Sequence, residues 1–221
     1  MNIRKIKVIF FHPYSRVGGA DLSLSTLMNN LDPKKYSIDF ICIRRDQKVN
    51  KLKKNINIFE INTKKTVFSI FKIRKIIKKN FNKNFKKIIL FSNQNFANII
   101  SYFITINFRK SLKIIAFERN HINELHYYFG IGDLIKKSII KLMMKILYRK
   151  FNVIACNSKE ASKDLTKFLN LKVLNIYNPI SLDVKRSKKI NNNKNNFQIL
   201  NIGRLEKQKD QVTLIKAINE L

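Results

Sequence analysis

The chain has 221 residues, of which 45% are apolar, enough for one well-buried domain and part of another and too many for a disordered chain. Its 45 Lys and Arg against 14 Asp and Glu give a formal charge of +31, which invites nucleic acid, an anionic membrane surface, or simply the Lys- and Asn-rich usage of AT-rich coding DNA as its explanation. No stretch of about 18 apolar residues is free of Lys, Arg or Asn, so no spanning helix is expected.

Ile6–Phe11 is predicted as a first strand. His12, Pro13 and Arg16 follow it without a small-residue cleavage site, which argues against a signal peptide. A helix is expected over Ala20–Leu31, with Leu24, Leu27, Met28 and Leu31 on one side. Strands are expected at Tyr36–Ile43, Ile56–Ile61, Lys87–Phe91, Leu112–Phe117, Phe151–Cys156 and Lys172–Ile176. Helices are expected at Val67–Lys79, Phe96–Ile106, Asp133–Lys150 with Asp133 as N-cap, and Ser158–Leu169 with Ser158 as N-cap. The strands are continuous apolar runs, as in a parallel sheet covered on both faces. Their alternation with helices predicts a doubly wound α/β domain. Cys42 and Cys156 fall in these runs and read as reduced core thiols of a cytoplasmic protein.

Residues 185–196 hold a single apolar residue and read as a solvated linker. The expected organisation is a first domain over 1–184, the linker, and the beginning of a truncated second domain over 197–221. That beginning is read as a buried strand at Phe197–Ile202 and a helix from Gln211.

Two loops carry chemistry. After the first strand comes Arg16-Val17-Gly18-Gly19-Ala20-Asp21, where paired glycines allow close backbone approach and a helix start offers free N–H groups to an anion. It is neither G-x-G-x-x-G nor a phosphate loop with Lys-Ser/Thr, which disfavours dinucleotide enzymes and phosphate-loop nucleotidases. The second is Asn201-Ile202-Gly203-Arg204-Leu205-Glu206-Lys207-Gln208-Lys209-Asp210, with Arg204 and Lys209 suited to a diphosphate at the carboxyl end of a strand.

Ile199–Leu221 resembles the Gly-Arg-Leu…Lys segment of the family 4 retaining glycosyltransferases of GT-B architecture. Gly18-Gly19-Ala20-Asp21 resembles the Gly-Gly-Ala-Glu turn of that family. Tyr148–Ser158 resembles its strand leading to a Ser at a helix start, and Ile176-Tyr177-Asn178-Pro179-Ile180 its Asn-Pro turn. The four segments come in the family's order, and Asp210 departs from a position that often holds Gly. The resemblance implies two Rossmann-like domains, with a nucleoside diphosphate sugar as donor. The transferred sugar would go to a cell-surface polysaccharide, lipopolysaccharide or lipid-linked glycan. It implies that Arg204, Lys209 and the amides of Gly18 and Gly19 hold the donor diphosphate, with no metal or other cofactor. It also implies that the 221 residues alone lack the glutamate-bearing half needed for transfer.

Phe117-Glu118-Arg119-Asn120-His121 ends a strand on the same edge, so Glu118, Arg119 and His121 are cleft candidates for acceptor or sugar, and His12 faces the same way. His121, Glu124 and His126 do not have H-E-x-x-H spacing, so no metal site is expected. Between Lys64 and Leu90 lie ten Lys or Arg and no acidic residue, and Asp133–Lys150 also pairs an apolar stripe with lysines. Most of both stripes is expected to pack on the sheet, while the basic faces hold the protein on anionic lipid at the inner face of the cell membrane. The other readings are a basic nucleic-acid-binding α/β protein and a non-catalytic glycosyltransferase partner. Against the first, the phenylalanines lie in apolar runs instead of a stacking stripe.

Overall fold

Repeated apolar runs fold here into one parallel sheet. The computed structural model describes residues 4–15, 18–46, 52–63, 66–81, 84–179, 199–203, 205 and 209–220. Its strands are β1 (Ile6–Phe11), β2 (Tyr14–Ser15), β3 (Tyr36–Cys42), β4 (Arg44–Arg45), β5 (Ile56–Glu60), β6 (Lys87–Asn93), β7 (Leu112–Glu118), β8 (Val153–Cys156) and β9 (Leu174–Asn175). The helices are α1 (Gly19–Asn30), α2 (Ser69–Phe81), α3 (Asn95–Thr105), α4 (Ile131–Leu147), α5 (Lys159–Leu169) and α6 (Gln211–Asn219). Seven strands form the sheet in the order β5-β3-β1-β6-β7-β8-β9, all parallel; β2 and β4 form a separate two-stranded piece.

Chain order reverses at β1. The chain first adds β3 and β5 on one side, then crosses to β6 on the other. The gap between the carboxyl ends of β1 and β6 is therefore the topological switch point, where open α/β sheets bind ligands.

Strand periodicity divides the core. Val8, Phe10, Ile38 and Phe40 pack under α1 through Leu24 and Met28. Ile9, Phe11, Ile41, Leu90 and Ile114 point to the other face, against Ile73 and Ile77 of α2 and Ile100 and Ile104 of α3. On that second face α4 and α5 continue the layer through Met144, Leu147, Ala161, Leu165 and Leu169. Helices on both faces give the doubly wound α/β arrangement expected from the sequence. Cys42 and Cys156 are buried free thiols, pushed up to about 12 by burial.

Four local expectations change. Asp133 does not cap α4. The cap is Gly130 at φ 81°, and Asp133, in the first turn, instead accepts from the Phe129 N–H at 3.1 Å and pairs with Lys137 at 2.9 Å. The last strand of the sheet shrinks to Leu174–Asn175. The stretch expected as a strand at Phe197–Ile202 is not one over its described part, 199–202: Ile199, Leu200 and Ile202 are exposed, and among the described residues no strand pairs with it to form a ladder. The apolar stripe of α4 does not all face the sheet. Met144 and Leu147 are buried, but Ile131, Ile135, Ile139, Leu142 and Ile146 are each more than half exposed.

The chain divides into two compact units, Met1–Ser181 and Leu182–Leu221. Within the second, α6 buries no residue. Among the described residues no helix is long and apolar enough to cross a membrane.

Candidate functional site at the switch point

Two helices begin at the switch point, and neither N-cap residue bonds its helix through a side chain, although in α3 the Phe96 N–H donates to Asn95 Oδ1 at 2.6 Å. α1 starts after β1 behind Gly18, and α3 starts after β6 behind Gln94. Uncapped first-turn N–H groups favour an anion. A Cβ built on Gly18 or Gly19 meets nothing within 4 Å, so the glycines leave open space over the start of α1. Gln94 adopts φ 81° and ψ 153°, a region that is nearly glycine's own. It is held there by its N–H donating to Phe117 O at 2.9 Å and its carbonyl accepting from the Asn98 N–H at 2.9 Å.

A polar network joins the strand ends. Ser15 Oγ donates to Asp21 Oδ1 at 2.8 Å. Asp21 Oδ1 lies 3.5 Å from His12 Nε2. Asn93 Nδ2 lies 3.1 Å from His12 Nδ1 and donates to it, so the imidazole proton belongs on Nε2, toward Asp21. Asn93 Oδ1 accepts from Arg119 Nε at 2.7 Å. Arg119 Nη1 donates to Asn178 Oδ1 at 2.6 Å, and Ser23 Oγ donates to the same oxygen at 3.2 Å. His12, Asp21 and Asn93 are buried, whereas Asn178 is exposed and Arg119 is half-buried over the Phe117 ring. Burial lowers the Arg119 guanidinium to about 10, with Asp21 pulling the other way. It therefore remains a cation at neutral pH, set between the two helix starts.

Beside this network lies a pocket of about 210 Å³, lined by Asn95, Asn120, His121, Glu124 and Lys137 among its polar residues, with Met144 and Leu165 on its apolar wall. Glu118 reaches it but is 3% exposed. Asn98 Nδ2 donates to its Oε1 at 2.7 Å, and Tyr148 Oη donates to the same oxygen. Burial raises the Glu118 carboxyl to about 7 against the lowering effect of those two hydrogen bonds, and burial raises the Tyr148 phenol well above its ordinary value. His121 Nε2 is 2.7 Å from Asp164 Oδ2 of α5.

The three residues grouped from the sequence thus separate. Arg119 turns to Asn93 at the end of β6 and to the Asn-Pro turn; His121 turns to α5; Glu118 is locked to α3 and the end of α4. Gly18 and Gly19 sit at the start of α1, as their motif implied. Lys209 is exposed in the second unit, its Cγ 3.5 Å from where a Cβ on Gly203 would stand. Arg204 lies outside the described residues. The sequence reading missed Asn93 and Gln94. Their signal was a polar Ser-Asn-Gln-Asn run directly after the apolar core of β6. No group of three or more His, Cys, Asp or Glu is placed to hold a metal ion among the described residues.

No protein-family model matches the chain, and no curated protein matches it by sequence. Solved structures do match. A sucrose-phosphate synthase from Thermosynechococcus elongatus aligns with TM-score 0.60 at 9% identity, over 78% of this chain and 48% of that one. The HepE protein of Anabaena, solved in complex with UDP and glucose, aligns with TM-score 0.52 at 11% identity, over 78% and 44%. The lipopolysaccharide outer core galactosyltransferase WaaB, in its apo form, aligns with TM-score 0.51 at 13% identity, over 83% and 50%. The chain spans about half the length of the structures it matches. Over the aligned part it shares their Rossmann-like α/β fold, a parallel sheet with helices on both faces.

Proposed function

We propose that the chain is the acceptor-side part of a glycosyltransferase, with a retaining mechanism, that uses a nucleoside diphosphate sugar. The observation that carries this reading is the convergence of two uncapped helix starts and the Arg119 cation at the switch point. That is an anion site on an edge built for nucleotides. The bond between the sugar and the diphosphate breaks during transfer, and negative charge grows on the leaving diphosphate. Preorganised N–H groups of Gly18 and Gly19, together with Arg119, stabilise that charge on this side, and Arg204 and Lys209 do so from the second domain. Cationic side chains then supply what a metal would otherwise supply.

The pocket beside Arg119 suits the acceptor. Its Asn95, Asn120, His121 and Glu124 offer both donors and acceptors to hydroxyl groups, and Met144 and Leu165 offer an apolar wall for a sugar ring. The acceptor is a surface polysaccharide, a lipopolysaccharide or a lipid-linked glycan, glycosylated at the cytoplasmic face of the membrane. The domain boundary lies in 185–196, with the donor domain beginning at 197. A nucleic-acid role is less well served, because the sequence holds no nucleic-acid-binding motif and the phenylalanines of the strands, such as Phe10, Phe11, Phe40 and Phe117, are buried.

Calorimetric titration with UDP, the nucleotide bound by HepE, of the protein carrying its complete donor domain tests the reading. Arg119→Ala is expected to weaken binding by about 1.5–3 kcal/mol, the range for a hydrogen bond to a charged group, and Lys209→Ala by a similar amount. Unchanged affinity in both variants, across UDP and the other common nucleoside diphosphates, overturns it.

A further inference from the structure

The exposed face of α4 is long and apolar. At about 100° per residue, Ile131, Ile135, Ile139, Leu142 and Ile146 fall within an arc of about 80° and run about 22 Å along the helix. All five are more than half exposed. Directly before them Tyr127, Tyr128 and Phe129 are exposed as well, Phe129 at 76%. So many large apolar side chains on one element exceed the scattered exposure that a surface normally tolerates.

The border of this face decides its partner. Lys136 flanks the stripe on one side and Lys141 and Lys145 on the other, with Arg149 and Lys150 at its carboxyl end. From Leu134 to Lys159 there is no Asp or Glu. A second copy of the chain would bring basic borders against each other at close range, so self-association through this face is opposed by charge. An anionic bilayer meets both demands: acyl chains take the isoleucines and leucine, headgroups take the lysines, and tyrosines next to a phenylalanine suit the boundary between them.

We infer that α4, with Tyr127–Phe129 at its leading end, lies in the plane of an anionic membrane and inserts its Ile131–Ile146 stripe among the lipids. This differs from attachment by the charge run of α2, which needs no insertion. The same helix supplies Lys137 and Met144 to the pocket proposed for the acceptor, from the side opposite the inserted stripe, so insertion holds that pocket one helix diameter, roughly 10 Å, above the stripe. A lipid-linked acceptor then reaches it with its glycan raised from the bilayer surface. This last step rests on the glycosyltransferase reading; the insertion does not.

The chain contains no tryptophan, so a single introduced one is an unambiguous probe. Ile139→Trp and, as a control on the turn after α1, Lys34→Trp are titrated with vesicles of phosphatidylglycerol and phosphatidylcholine, with and without brominated acyl chains. On anionic vesicles, Ile139→Trp emission is expected to shift to the blue and be quenched by the brominated lipid, while Lys34→Trp does neither. Leu142→Glu with Ile146→Glu, both at exposed positions, is expected to lower partitioning at least tenfold with an unchanged circular dichroism melt. Vesicle binding without a shift at Ile139→Trp overturns the inference in favour of purely electrostatic attachment. A blue shift that grows with protein concentration in the absence of lipid overturns it in favour of a second copy. No nucleotide enters these measurements, so a failed Arg119→Ala titration would remove the transferase reading and leave the insertion standing.

Discussion

The two ends of the sheet hold buried polar networks of similar size and opposite character. Toward the amino end, Lys7 Nζ sits 2.5 Å from Asp39 Oδ1 and 3.1 Å from Ser37 Oγ. Asp39 also accepts from Asn57 at 2.9 Å and from Asn80 at 3.2 Å. Lys7 and Asp39 are 1% and 2% exposed. At the carboxyl end, the chain of bonds from Ser15 through His12 and Asn93 to Arg119 ends on Asn178, which is exposed, beside glycines with open space above them. The first network is closed and holds four elements, β1, β3, β5 and α2, in register. The second is open on one side, which is what a binding edge needs. A buried polar group therefore marks function only when part of its bonding capacity faces outward.

The sharpest test of this contrast is a pair of alanines. Asp39→Ala leaves the Lys7 ammonium buried without its counter-charge and is expected to cost about 3–5 kcal/mol in urea unfolding. Arg119→Ala removes two hydrogen bonds at a half-exposed position and is expected to cost no more than about 2 kcal/mol, its main effect appearing in nucleotide affinity. Similar unfolding costs for the two would erase the distinction between a sealed end and an open one.

Glu118 lies between the two cases: its carboxyl is bonded like a core group yet borders the pocket. Its folded-state value of about 7 stands above the 4.5 of the free side chain, so the fold keeps a proton that the unfolded chain releases. The associated stability is complete below pH 4.5 and is lost as pH rises through about 7. Glu118→Gln keeps a neutral acceptor for Tyr148 and Asn98 and removes the titration. The variant is expected to match the parent at pH 4 and to exceed it at pH 8 by on the order of 2–3 kcal/mol, read from urea midpoints across that range. Parallel pH profiles for the two proteins would show that the carboxylate is accommodated at no cost.

The sheet was legible because its signal is repeated. Continuous runs such as Ile6–Phe11 and Leu112–Glu118 have to be buried on both faces, and each boundary came within a few residues. Ser158 was legible because a cap is local: its Oγ accepts from the Ala161 N–H at 3.1 Å. Asp133 had the same local look, but Gly130 took the cap, since a glycine can enter α4 at positive φ where other residues resist. Lys7 was illegible, because its partner is 32 residues away. The site followed the same rule. Gly18 and Gly19 announced themselves as a motif, whereas Asn93 and Arg119 meet only through parallel pairing of β6 with β7. The exposed face of α4 was hidden for the opposite reason: periodicity shows that a stripe exists, and only packing shows which stripe is covered.

The smallest effect tests the edge itself. α3 and α4 enter through nearly the same backbone conformation, φ 81° with ψ 153° at Gln94 and φ 81° with ψ 172° at Gly130. At α4 the residue is a glycine, which adopts it freely. At α3 it is a glutamine, whose Cβ makes this region costly by about 1–3 kcal/mol. Both backbone hydrogen bonds of Gln94, to Phe117 and from Asn98, survive truncation to glycine. Gln94→Gly gains the relief of strain and loses about 0.5–1 kcal/mol through the greater freedom of the unfolded chain. The balance is a net stabilisation of about 1 kcal/mol, or about 2–4 °C in Tm for a chain of this size, measurable by calorimetric melting. A site at the start of α3 also makes a second demand: the freer glycine should hold the α3 amides less firmly and weaken UDP binding. Higher stability with weaker binding would place Gln94 on the open, functional end of the sheet. A lower melting temperature would instead mean that the glutamine side chain contributes more to the fold than its strained backbone costs, and would move this residue to the structural side of the comparison.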